Sequence, residues 1–145
     1  DYIENYVCPQ KHKAKPKIDV DAKIAVEKAA VSAVTLSYMQ QGYKVISVED
    51  ENKGWDLEAT KGKSFLRIEV KGLAGSQISV RISKNEYSKM RSSDNADYRL
   101  CVVTNSQKSP EIWTFTYDNG IWVCEEDNEI ELSFEVQIAA IAYVE

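Results

Sequence analysis

Residues 54–72 read GWDLEATKGKSFLRIEVKG, and the fold follows from how this stretch turns back on itself. Two runs, WDLEAT and SFLRIEVKG, alternate in character, and Lys61-Gly62-Lys63 between them is a short loop whose glycine tolerates a positive φ. The pattern predicts a β-hairpin. Successive side chains on a strand point to opposite faces, so Leu66, Ile68 and Val70 share one face while Arg67, Glu69 and Lys71 share the other. The first face is expected to pack and the second to carry charge. Asp56 stands early in the partner strand, and closing the hairpin brings it beside Glu69 and Lys71.

Upstream, Ile24, Val31, Val34 and Tyr38 recur at three- and four-residue spacings, which predicts a helix capped by Asp19 or Asp21 and stopped by Gly42. Glu27 falls inside that apolar stripe, where a carboxylate is costly unless a metal, a cation or a hydrogen-bond donor satisfies it. A helix packed across the hairpin would aim Glu27 at the same centre. Pairing with Lys23, Lys28 or the backbone at the margin of the stripe is the alternative. The β-branched run YKVISV predicts a strand, and EDENKG a turn leading into the hairpin.

Downstream, ISVRI reads as a further strand, and Ser83-Lys84-Asn85-Glu86 has the capping-box pattern of a short helix through about Arg91. YRLCVVT is nearly continuous in apolar residues, as in a central strand buried on both faces. EIWTFTYD and GIWVCEE flank Asp118-Asn119-Gly120, a second hairpin signal, with Trp113, Tyr117 and Trp122 as cross-strand packing. After Glu129 the pattern is ambiguous, because ELSFEV alternates like a strand while VQIAAIAYV is short and apolar. The elements describe one α/β domain. Residues 1–18 form an arm rich in proline and lysine, 19–117 the core, and 118–145 an acidic β extension of the same domain.

A length of 145 residues, with 43% hydrophobic and 28% charged content, suits one globular domain with its own core. No apolar run approaches membrane-spanning length, and the sequence opens at Asp1 without an initiator methionine or a charged-then-apolar pattern, so an excised or processed cytoplasmic segment is expected. The net charge of −5 argues against binding nucleic acid by bulk electrostatics, yet nine of the 23 acidic residues and none of the 18 basic ones lie from Glu111 onward. Residues 1–110 therefore carry a net +4. Cys8, Cys101 and Cys124 lack metal-ligand pairing and read as free thiols, and His12 is a lone histidine in a basic arm.

Metal-assisted phosphodiester hydrolysis needs carboxylates to hold a cation, a cationic group near the attacking water or the leaving oxygen, and an open coordination position. Asp56, Glu69 and Lys71 form such a set, and their oxygen ligands suit Mg²⁺ or Mn²⁺. An acidic residue followed at two by lysine also occurs at Asp21-Ala22-Lys23 and Glu51-Asn52-Lys53, but those sit at a helix start and in a turn. Context distinguishes Glu69-Val70-Lys71. The plain alternative is a solvated sheet face whose charges pair weakly. Arg67, Arg81, Lys84 and Lys89 are the candidate phosphate contacts beside the site.

In order, Glu27 on a helix, Gly54-Trp55-Asp56, and Ile68-Glu69-Val70-Lys71-Gly72 resemble the PD-(D/E)XK nuclease superfamily. Within it the chain is most similar to the domain at the C-terminus of NO VEIN-type proteins, also found beside helicase or ATPase modules in restriction and defence systems. The resemblance spans roughly residues 20–115, with Trp55 where the superfamily's name has proline. It implies a restriction-endonuclease-like central mixed sheet flanked by helices, and a metal held by Asp56, Glu69 and the backbone carbonyl of Val70. It also implies that Lys71 orients the nucleophilic water, with Glu27 as an auxiliary acid. Glu86 matches a glutamate of the family pattern, but its cap role is sufficient reason for it and it stays outside the catalytic set. The expected function is DNA cleavage with Mg²⁺, as a module of a larger protein; DNA, neighbouring domains and a second copy of the chain are the expected partners. The rival is the same fold binding nucleic acid or a protein without cutting.

Overall fold

Six strands form, most of them rich in β-branched and aromatic residues. They are β1 (Lys44–Ser47), β2 (Leu57–Lys61), β3 (Ser64–Gly72), β4 (Tyr98–Thr104), β5 (Glu111–Asp118) and β6 (Ile121–Cys124). The computed structural model describes residues 19–144, so Cys8, His12 and the N-terminal arm lie outside the described residues. The strands join one sheet in the order β1-β2-β3-β4-β5-β6, antiparallel throughout except that β3 and β4 run parallel. A parallel neighbour requires a crossover, and residues 73–97 supply it with α2 (Lys84–Met90). The other helix, α1 (Val20–Gln40), precedes the sheet. The fold is α/β with a central mixed sheet flanked by helices, consistent with a restriction-endonuclease-like architecture.

Both faces of the sheet are covered. On one, Ala30, Val34 and Tyr38 of α1 pack on Leu57, Ala59, Leu66, Ile68, Val70, Cys101 and Val103. On the other, Tyr98, Leu100, Val102, Phe115 and Trp122 pack with Met90 of α2, and Leu73, Ile78, Val80 and Ile82 close over them. The expected strand ISVRI is therefore not a strand. Its alternation is real, but β3 and β4 are already neighbours, so the segment crosses the face and lays Ile78, Val80 and Ile82 onto it. The ELSFEV alternation likewise yields only an isolated bridge, Val123 to Glu131.

The stripe on α1 differs from the expected one. Its buried line is Ala30, Val34 and Tyr38, while Ile24 is 43% exposed and Glu27 is exposed. Small residues let the helix come close: a Cβ added to Gly72 would lie 2.7 Å from Ala30 Cβ and 3.0 Å from the Val26 carbonyl. The second hairpin forms as expected, with Tyr117 opposite Trp122 and their rings 5.5 Å apart. Cys101 and Cys124 are buried free thiols, and burial pushes Cys101 up to about 12. The unit Val20–Leu132 contains all of these elements, and residues 133–144 carry no helix or strand. No helix among the described residues is long and apolar enough to cross a membrane.

Candidate active site

The β2–β3 register sets the site. Leu57 pairs with Ile68, so Asp56, one residue before β2, lies beside Glu69. The Asp56 backbone is fixed on both sides: its N–H donates to the Ile68 carbonyl and its carbonyl accepts from Val48 N–H, each at 2.8 Å. Its carboxylate oxygen Oδ2 accepts the Val70 N–H at 2.9 Å. The turn before it is held as well. Gly54 has φ +96°, and its carbonyl accepts the Tyr98 hydroxyl at 2.7 Å. A Cβ there would lie 2.9 Å from Lys89 Cγ, so conformation and space both demand glycine. Trp55 donates its indole N–H to Glu58 at 3.0 Å and carries the Arg67 guanidinium 4.9 Å from its ring centroid.

Glu69 and Lys71 project from β3 towards the α2 side of the sheet, as alternation requires. That face is not the solvated one of the plain alternative. Glu69 is 4% exposed because the crossover covers it. Lys71 Nζ lies 3.4 Å from Glu69 Oε2 and 2.8 Å from Glu86 Oε1. Glu86 reaches this point from the first turn of α2, where the capping box forms: Ser83 Oγ accepts the Glu86 N–H at 3.1 Å, and Glu86 Oε1 accepts the Ser83 N–H at 2.9 Å.

Three carboxylates thus face one ammonium in a shielded space, and their protonation reflects it. Burial, reinforced by Asp56 and Glu86, pushes Glu69 up to about 9, so it holds a proton at neutral pH. Burial also raises Asp56 against the opposing pull of the Val70 N–H. For Lys71, burial works to lower the value, but Glu69 and Glu86 outweigh it and leave it raised. For Glu86, burial works to raise the value, but Lys71 and the Ser83 N–H outweigh it and leave it lowered. Glu86 and Lys71 are the ionised pair.

Positive charge placed here would oppose the crowding that raises Glu69. Asp56 and Glu69 offer hard oxygen atoms. Among the described residues no three or more His, Cys, Asp or Glu side chains are arranged to hold a metal ion, so backbone carbonyl and water would have to complete the shell.

The expected site residues divide into two groups. Asp56, Glu69, Val70 and Lys71 come together. Glu27 does not share the premise that singled it out, because it is exposed: it lies one position round the helix from the line that packs on Gly72. Arg67 is 8% exposed, bonds Asp97 at 2.6 and 2.9 Å and the Asp94 carbonyl at 2.7 Å, and lies against Trp55, so its guanidinium is engaged inside the fold. Lys84 and Arg81 are exposed, and Lys89 is half-buried with its ammonium 5.9 Å from the Trp55 ring. Glu86 is the member that sequence reasoning set aside. Its match to the family pattern was the available signal, and its cap role concealed the contact with Lys71.

A family model described as Protein NO VEIN, C-terminal, matches residues 26–115. The chain belongs to this family. The NO VEIN C-terminal match runs from α1 to β5 and includes Asp56, Glu69, Lys71 and Glu86, leaving β6 outside. No curated protein and no solved structure matches the chain.

Proposed function

We propose that this domain is a Mg²⁺-dependent DNA endonuclease of the PD-(D/E)XK type, acting as the cleavage module of a larger restriction or defence protein. The observation that carries the reading is the enclosed meeting of Asp56, Glu69 and Lys71 at the end of a hairpin, with Asp56 fixed by the Val70 N–H and Lys71 3.4 Å from Glu69. Asp56, Glu69 and the Val70 carbonyl are the groups that would hold Mg²⁺ or Mn²⁺. When bound, such an ion polarises the phosphate and lowers the pKa of a coordinated water. Lys71, held beside Glu69, orients that water and offsets charge developing on the phosphate. Arg81, Lys84 and Lys89 provide the phosphate contacts around α2, and helicase or ATPase modules of the parent protein would supply further grip on DNA.

A second reading, a nuclease fold that binds nucleic acid or protein without cutting, is favoured by one observation. The described residues contain no group of three or more such side chains arranged for a metal. Cleavage of plasmid and single-stranded DNA with and without Mg²⁺, using the isolated domain and its full-length parent, separates the two. Metal-dependent cleavage is expected; no Mn²⁺ binding at millimolar concentration, with DNA and parent present, leaves the binding module.

A further inference from the structure

We propose that Glu86 is the positioning residue for Lys71, holding its ammonium in place from α2; the inference rests on the nuclease reading above. A lysine side chain is a point charge on a flexible four-carbon stem, so one that must orient a water needs an external hold. Two carboxylates reach Lys71. Glu69 is the more distant at 3.4 Å, and in the proposed reaction its oxygen atoms belong to the cation. Glu86 is nearer at 2.8 Å and is itself fixed, since the same Oε1 accepts the Ser83 N–H.

Its helix is anchored to the segment that delivers Asp56. Asn85 Nδ2 donates to the Asn52 carbonyl at 3.4 Å, Lys89 lies against Gly54 and Trp55, and Met90 is buried in the core beneath. One short helix therefore ties the position of Lys71 to that of Asp56. A capping box alone explains a glutamate at this helix position, but it does not require the carboxylate to face a lysine. Here the Glu86 side chain is only 16% exposed and directed at Lys71.

Glutamine satisfies a capping box as glutamate does, so Glu86→Gln keeps the helix cap and removes the charge, whereas Ser83→Ala breaks the cap and keeps the charge. The measurement is the NMR order parameter of the Lys71 Cε methylene in the folded protein, with exposed Lys84 as the mobile reference. In Glu86→Gln it should fall towards that of Lys84, and in Ser83→Ala it should stay at the wild-type value. An ordered Lys71 in Glu86→Gln, or equal loss in both variants, overturns the proposal. In parallel, Glu86→Gln should lower kcat for plasmid cleavage on the order of 10²-fold, the cost of a misplacement of about 1 Å, with KM unchanged. Equal kcat in the two proteins also overturns it. A wild type that neither binds metal nor cleaves sinks the nuclease reading instead, and the order parameters still decide whether Glu86 holds Lys71.

Discussion

Glu69 is where burial and charge conflict most directly. Its folded value near 9 lies above the ordinary 4.5, so the folded state keeps a proton that the unfolded chain releases. Stability from this group is fully present below about pH 4.5 and is lost as pH rises towards 9. Glu69→Gln, which mimics the protonated acid, should therefore stabilise the metal-free fold by about 1–3 kcal/mol at pH 7 and have little effect near pH 4.5. Urea unfolding at the two pH values checks this, and equal shifts at both would contradict it. The same residue divides labour with its neighbours. On the proposed reading, Asp56→Ala and Glu69→Ala each remove a hard ligand and should weaken Mn²⁺ binding, whereas Lys71→Ala removes a cation and should leave Mn²⁺ binding intact or tighter. Cleavage should drop on the order of 10²-fold or more in all three. Calorimetric titration beside a cleavage assay, after circular dichroism has shown each variant folded, makes the comparison.

Between α1 and β3 the limiting quantity is distance. Gly72 follows Lys71 directly, and the Cβ it lacks would meet Ala30 Cβ at 2.7 Å and the Val26 carbonyl at 3.0 Å. Helix backbone cannot yield as a flexible side chain can. Gly72→Ala should cost about 1–3 kcal/mol by forcing the helix off the sheet, read as a lower urea midpoint. The effect should reach the site, because the strand end that moves carries Lys71. On the opposite face Arg67 shows how an element is braced from beneath: it links β3 to Asp97 just ahead of β4 and to Trp55 ahead of β2. Sequence spacing put Arg67 on the face of Glu69 and Lys71, which is correct, but could not show that its partners, Asp94 and Asp97, lie about thirty residues away.

Across the whole molecule the basic charge available for phosphate is modest. Residues 1–110 carry a net +4 and the region from Glu111 onward is acidic, so the isolated chain should bind DNA weakly and with steep salt dependence. Lys84→Ala should reduce the slope of log K against log salt by about 1, while Glu111→Gln, at the start of β5, should leave it unchanged. Tight binding that ignores salt would contradict this electrostatic account. The local signals in the sequence were sufficient for the local structure: the 54–72 hairpin and its alternation, the central strand 98–104, the second hairpin and the capping box at Ser83 all depend on residues near each other in the chain. They also placed Asp56 beside Glu69 and Lys71, since hairpin register is a short-range property. Only the tertiary structure decided what covers that face. The crossover from β3 to β4 lays Ile78, Val80, Ile82 and α2 over it, making the charged face a second core that buries Glu69 and brings Glu86 to Lys71. The same applies to Glu27, whose exposure follows from the rotation of α1 about its axis, set by the close fit of Ala30 on Gly72. Periodicity states which residues share a face, but what a face meets depends on contacts between distant segments, and those exist only once the chain has folded.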